Sequence, residues 1–96
     1  MTPADALIVD QDNAISETLD GEVVIIHLHS GAYYSADPLG TELWSRFEGG
    51  ASLSGLRQEL EARFEANEGE VAQALDAFVD QLRKEGLVRP LEGELP

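Results

Sequence analysis

His27 and His29 stand two residues apart in a run rich in β-branched residues. On a strand both imidazoles would project from one face, a possible start for a metal site. No third or fourth ligand follows at recognisable spacing, and zinc sites use three or four. The histidines therefore read as solvent-facing strand residues. The chain has no cysteine, which removes disulfides, thiolate ligands and sulfur nucleophiles. Its nineteen Asp and Glu residues will include some close pairs by chance. None is marked by an apolar setting that would tune it for general acid–base work. Ser30-Gly31 and Gly49-Gly50 lack the strand-to-helix context of a phosphate loop and read as turns. Glu59, Glu61, Glu65, Glu68 and Glu70 read as solvated helix faces. The residues thus argue for no enzyme, no cofactor and no metal. Binding remains, and here Tyr33-Tyr34 matters. Neighbours on a strand point to opposite faces. One tyrosine belongs in the core or on a helix and the other lines a groove or meets solvent, in an order the residues leave open.

Ninety-six residues with 43% hydrophobic content make one domain with a modest core. Six basic residues against nineteen acidic ones give a formal charge of -13. Such a charge repels nucleic-acid backbones and anionic membranes and suits a neutral or cationic partner. No apolar run approaches the roughly 18–20 residues that span a bilayer. The start, Met1 to Asp5, lacks the features of a signal peptide, so a cytoplasmic protein is expected.

The elements that must position any site follow from periodicity. Residues 1–12 read as a flexible acidic arm, although Leu7-Ile8-Val9 could pack somewhere. A first strand is predicted over Ala14 to Leu19 and a second over Glu22 to His29, joined by Asp20-Gly21, a dipeptide suited to a tight hairpin. A turn at Ser30-Gly31 leads to a third strand, Ala32 to Ala36. The period then becomes helical. Asp37-Pro38 opens a helix carrying Leu39, Leu43, Trp44 and Phe47, which Gly49-Gly50 ends; Trp44 reads as core. Ser52 caps a second helix with the stripe Leu53, Leu56, Leu60 and Phe64. Asn67 and Glu70 have capping-box spacing for a third, with Val71, Ala74, Leu75, Phe78, Val79 and Leu82 on one face. Gly86 suits the left-handed position after its end, Leu87-Val88 returns to the core, and residues 90–96 read as a flexible tail. The expected fold is α+β and winged helix-turn-helix-like: an N-terminal three-stranded antiparallel sheet followed by three α-helices, with the domain over 13–89.

Three runs in this order resemble the PqqD-like family, also called the RiPP recognition element: Asp20 to Val24, then Ser30 to Ser35, then Pro38 to Trp44. The closing Phe78 to Val88 does so too. The resemblance covers about residues 14–88. It implies a domain that binds the leader segment of a ribosomally made precursor peptide. The leader adds as a strand beside the third strand, in the groove before the third helix. The core peptide is then presented to a partner enzyme, a radical SAM enzyme or a leader peptidase. Where many relatives carry a larger aliphatic residue this chain has Ala36, which implies a wider groove end. An exposed strand edge supports such a role on physical grounds, since its free N–H and C=O groups can pair with an extended peptide. The expected contacts are Ala32, Tyr33, Tyr34, Ser35 and Ala36 on the strand and Ala74, Ala77, Phe78 and Gln81 on the helix.

Two other classes fit the elements. A nucleic-acid-binding winged helix is opposed by the acidic helix over about Glu68 to Glu85. A dimerising structural module is the other: Val23 and Ile25 share a face with His27 and His29, opposite Val24, Ile26 and Leu28, and if both faces are apolar one would form a dimer interface.

Overall fold

The computed structural model describes residues 5–64 and 68–91. Within them the chain runs β1 (Ala6–Val9), β2 (Ala14–Leu19), β3 (Glu22–His27), β4 (Tyr33–Ser35), α1 (Pro38–Glu48), β5 (Ala51–Ser52), α2 (Leu53–Phe64), α3 (Glu68–Lys84) and β6 (Val88–Pro90). The class is α+β as expected. There are two antiparallel sheets rather than one, ordered β2-β3-β4 and β5-β1-β6.

The β2-β3-β4 meander is the sheet read from the sequence. Asp20 and Gly21 both have left-handed backbone, with φ of 52° and 81°. Two such residues make the two-residue turn whose twist matches a hairpin. The second strand stops at His27, two residues short of expectation. There the His27 ring folds into the turn, its Nδ1 accepting the backbone N–H groups of His29 and Ser30 at 3.2 Å each. Val23 and Ile25 are buried, and the opposite face, Val24 and Ile26, is half-buried to exposed.

The stretch expected as an arm is instead the centre of the second sheet. β1 pairs with β6 through Leu7↔Pro90, Ile8↔Arg89 and Val9↔Val88, and with β5 through Ala6↔Ser52 and Leu7↔Ala51. Ala6, Leu7 and Val9 are buried. A four-residue apolar run carries little local signal, and its pairing partners lie some forty and eighty residues away. The expected tail is also overtaken at its start: Pro90 ends β6, on a sheet edge where a missing N–H is tolerated, and Leu91 N–H donates to Ala6 O at 2.9 Å.

The helix signals hold where they can be seen. Asp37 Oδ1 accepts the Gly40 N–H at 2.7 Å, with Pro38 in the first turn of α1. Gly86 is left-handed, and the bonds Leu87 N–H to Leu82 O and Gly86 N–H to Arg83 O close the end of α3. The Asn67 cap lies outside the described residues. Trp44, Phe47, Leu56, Leu60, Leu75, Val79 and Leu82 bring the three helices onto Val23, Ile25 and Leu7 in one core. Ion pairs between Arg63 and Glu42, and between Arg46 and Glu59, join α1 to α2 on the surface.

Ser52 does cap α2, taking the Gly55 N–H at 3.2 Å, but it shares the task with Asp5. The Asp5 carboxylate accepts the Ser54 N–H at 2.8 Å and the Ser52 hydroxyl at 3.0 Å. The Ser54 N–H, above all, holds the Asp5 carboxyl below the usual carboxylate range; partial burial opposes it and Ser52 adds to it. A lowered folded-state pKa stabilises the fold above the ordinary value and ceases to do so as pH falls through the lowered one. Asp5→Ala should therefore cost about 1 kcal/mol at pH 7, the typical worth of a helix cap. By pH 3 the difference in urea stability between the two proteins should shrink, and an unchanged difference would show that the carboxylate is not what caps α2.

Candidate functional site

In the order β2-β3-β4, strand β4 has one neighbour among the described residues and one free edge. Its register with β3 is Val24↔Ser35, Ile25↔Tyr34 and Ile26↔Tyr33. His27 N–H donates to Ala32 O at 2.8 Å and Ala36 N–H to Val23 O at 3.1 Å. Backbone direction alternates along an antiparallel strand, so Ala32, Tyr34 and Ala36 turn toward β3. Tyr33 and Ser35 turn their N–H and C=O groups to the free edge.

The same alternation separates the tyrosines. Tyr34 lies opposite Ile25 on the core side, half-buried, and its hydroxyl donates to Glu85 Oε2 at 2.8 Å. That bond, with some burial, pushes the phenol pKa up. It ties the edge strand to the end of α3. Tyr33 points outward, 76% exposed.

Between the start of α1 and α3 runs an apolar groove of about 490 Å³. Leu39, Gly40 and Leu43 form one wall, Val71, Ala74, Leu75 and Phe78 the other, and Leu60 of α2 also lines it. Asp37 and Glu70 supply its acidic groups. Of the four α3 residues expected in the wall, Ala74 and Phe78 line this groove, and Ala77 and Gln81 line a separate, more polar depression with Asp80, Arg83 and Lys84. On the helix circumference Ala77 lies about 60° from Ala74, and Gln81 about 60° from Phe78, in the same sense. The α1 wall was not anticipated as part of a site, although Leu39 and Leu43 have the i, i+4 spacing that marks a common face.

Ala36 is placed where the end of β4, the first turn of α1 and Phe78 converge. A Cβ on Gly40 would stand 2.9 Å from Ala36 Cβ, 3.2 Å from Asp37 Oδ1 and 3.5 Å from Phe78 Cε1. Neither Ala36 nor the capping Asp37 can swing aside freely. Gly→Ala inside a helix ordinarily stabilises by about 0.5–1 kcal/mol. Gly40→Ala should instead destabilise by about 1–2 kcal/mol, the cost of overpacking less that gain. Urea unfolding measures it, and a more stable variant would refute the close approach.

Other chemistry finds little footing. No polar or charged residue is fully buried among the described residues. No group of three or more His, Cys, Asp or Glu gathers there as metal ligands would. Likewise, no described helix is long and apolar enough to cross a membrane.

The sequence model of the family described as coenzyme PQQ synthesis protein D (PqqD) matches residues 22–88, well over half of the chain. No curated protein sequence matches significantly. A solved structure of TbiB1 in complex with the TbiA(beta) leader peptide is similar in fold, with a TM-score of 0.76 and 26% identity. The similarity covers 90% of this chain and 99% of TbiB1.

Proposed function

The chain belongs to the PqqD family, and from that premise we propose that it binds the leader segment of a ribosomally made precursor peptide and has no chemistry of its own. The free edge of β4 is the observation that carries this reading; no β4 residue lines the apolar groove between α1 and α3, whose Gly40 and Phe78 stand near Ala36 just past the strand. An extended leader would pair with the N–H and C=O groups of Tyr33 and Ser35, and those backbone bonds would supply affinity for many sequences. Side chains entering the groove between Leu39, Leu43, Ala74 and Phe78 would supply selection. Ala36, at the converging end, would leave room that a larger aliphatic residue would fill. The likeness to TbiB1, solved with a leader peptide, supports the same role.

Bound in this way, the rest of the precursor would extend from the domain and be presented to a modifying or processing enzyme, either a radical SAM enzyme or a leader peptidase. Titration of a labelled leader from the precursor encoded beside this chain tests the binding, with micromolar or tighter affinity expected. Phe78→Asp places a charge in the groove wall and should weaken the complex by about tenfold or more. Its circular dichroism should stay that of the folded domain, since Phe78 is only partly buried. A leader that fails to bind the wild-type domain, with or without the enzyme, would sink the proposal.

A further inference from the structure

The walls of the groove between α1 and α3 are apolar, and only two of its lining residues can ionise. Both are acids. Asp37 caps the start of α1, Glu70 stands in the first turn of α3, and both are exposed. Asp37 Oδ1 accepts the Gly40 N–H at 2.7 Å, which fixes the carboxylate at the groove and leaves its other oxygen for a further donor.

Among the described residues no cation of this chain answers these two acids. Arg46 and Arg63 pair with Glu59 and Glu42, and Arg57 pairs with Asp76. Arg83 and Lys84 sit in the last turn of α3, about 20 Å along the axis from Glu70. Arg89 lies on β6. We infer that the groove takes a lysine or arginine side chain of the bound leader. Its apolar stem would lie between Leu39, Val71, Ala74 and Phe78, and its cationic head would meet Asp37 and Glu70. The inference rests on the leader-binding reading above and names the side-chain chemistry read at that site.

Charge complementarity selects this occupant. Lys and Arg bury their methylene stems on apolar surface while the charged head stays in water. Such a side chain satisfies walls and rim together. An aliphatic side chain would fill the walls and leave both carboxylates unanswered, and an acidic one would meet like charge. The groove, at about 490 Å³, has room for a long side chain. A leader paired with Tyr33 and Ser35 and running on past Ala36 would bring its next side chains to Gly40 and Phe78, which both line the groove.

Asp37→Asn/Glu70→Gln, made in the full chain, removes both charges and spares the helices. Asn caps a helix about as well as Asp, and Gln is close to Glu in helix propensity. The probe is the labelled leader of the precursor encoded beside this chain, with each Lys or Arg replaced in turn by norleucine. One such replacement should weaken binding to the wild-type domain by about three- to tenfold, the worth of one or two exposed ion pairs. Against the double variant the same replacement should change affinity by less than about twofold. In the wild type the difference should fade as salt rises from about 0.05 to 1 M. A leader that binds without any Lys or Arg would overturn the inference, as would a norleucine effect that persists in the double variant. Should the leader fail to bind the wild-type domain, hexylammonium set against 1-hexanol decides, read from the methyl chemical shifts of Leu39, Leu43 and Val71. A preference for the ammonium that the double variant loses would uphold the chemistry of the groove and count against the leader-binding reading. Equal binding of ammonium and alcohol would sink both.

Discussion

Ser35→Pro should leave the domain folded and lower its affinity for a leader by about tenfold or more. Proline lacks an N–H and is accepted on a sheet edge only where that group faces outward. At Ser35 the N–H points to the free edge of β4, so no bond to β3 is lost. What disappears is a donor for the incoming strand, and the ring takes up space beside it. Ser35→Ala keeps the backbone donor and should bind within about twofold of wild type, as exposed substitutions usually do. Proline at Tyr34 makes the contrast, since that N–H is turned toward Ile25 of β3 and its loss should destabilise the sheet. Fluorescence anisotropy with labelled leader, beside thermal melts of each variant, separates the cases. Wild-type affinity in a folded Ser35→Pro protein would show that the leader does not pair with β4.

Trp44→Ala should have the largest effect on stability. The indole is 1% exposed within the core formed by the three helices and both sheets, and its Nε1–H donates to Ser16 Oγ at 2.9 Å. Truncating a large buried aromatic costs about 3–5 kcal/mol through lost burial and the cavity left behind. A domain of this size has about 5–10 kcal/mol in all, so much of its stability would go. The melting temperature should fall by about 15–30 °C. Trp44→Phe keeps most of the apolar volume but gives up the bond to Ser16, and should cost about 1–2 kcal/mol. Urea unfolding followed by circular dichroism gives both numbers. A Trp44→Ala protein within 1 kcal/mol of wild type would mean that the core collapses around the gap without α1, a result at odds with its close packing. Because α1 also carries Leu39 and Leu43, loosening it should open the groove.

The sequence by itself determined the elements whose cause is local. Asp20-Gly21 dictates a hairpin because both residues tolerate left-handed backbone, and Asp37-Pro38 starts a helix because a carboxylate can take the Gly40 N–H. Gly86 ends α3 because it adopts positive φ without strain. The alternation of Val23 to Ile26 placed one apolar face inward and left the other to be explained. The identity of the ligand had no such local cause and came from resemblance, which the family match now supports.

The tertiary structure decided whatever depends on distant partners. Leu7-Ile8-Val9 becomes a strand only because Val88 to Pro90 and Ala51-Ser52 come to flank it. Tyr34 rather than Tyr33 turns inward because β4 registers Tyr34 against Ile25, placing its hydroxyl on Glu85, fifty-one residues away. The groove pairs α3 with α1, and no periodicity within either helix specifies the other. The histidines that opened the sequence reading are the contrast, since the His27 ring is held by N–H groups only two and three residues away. The His27 carbonyl accepts the Gly31 N–H at 2.9 Å, and its ring nitrogen serves the same turn.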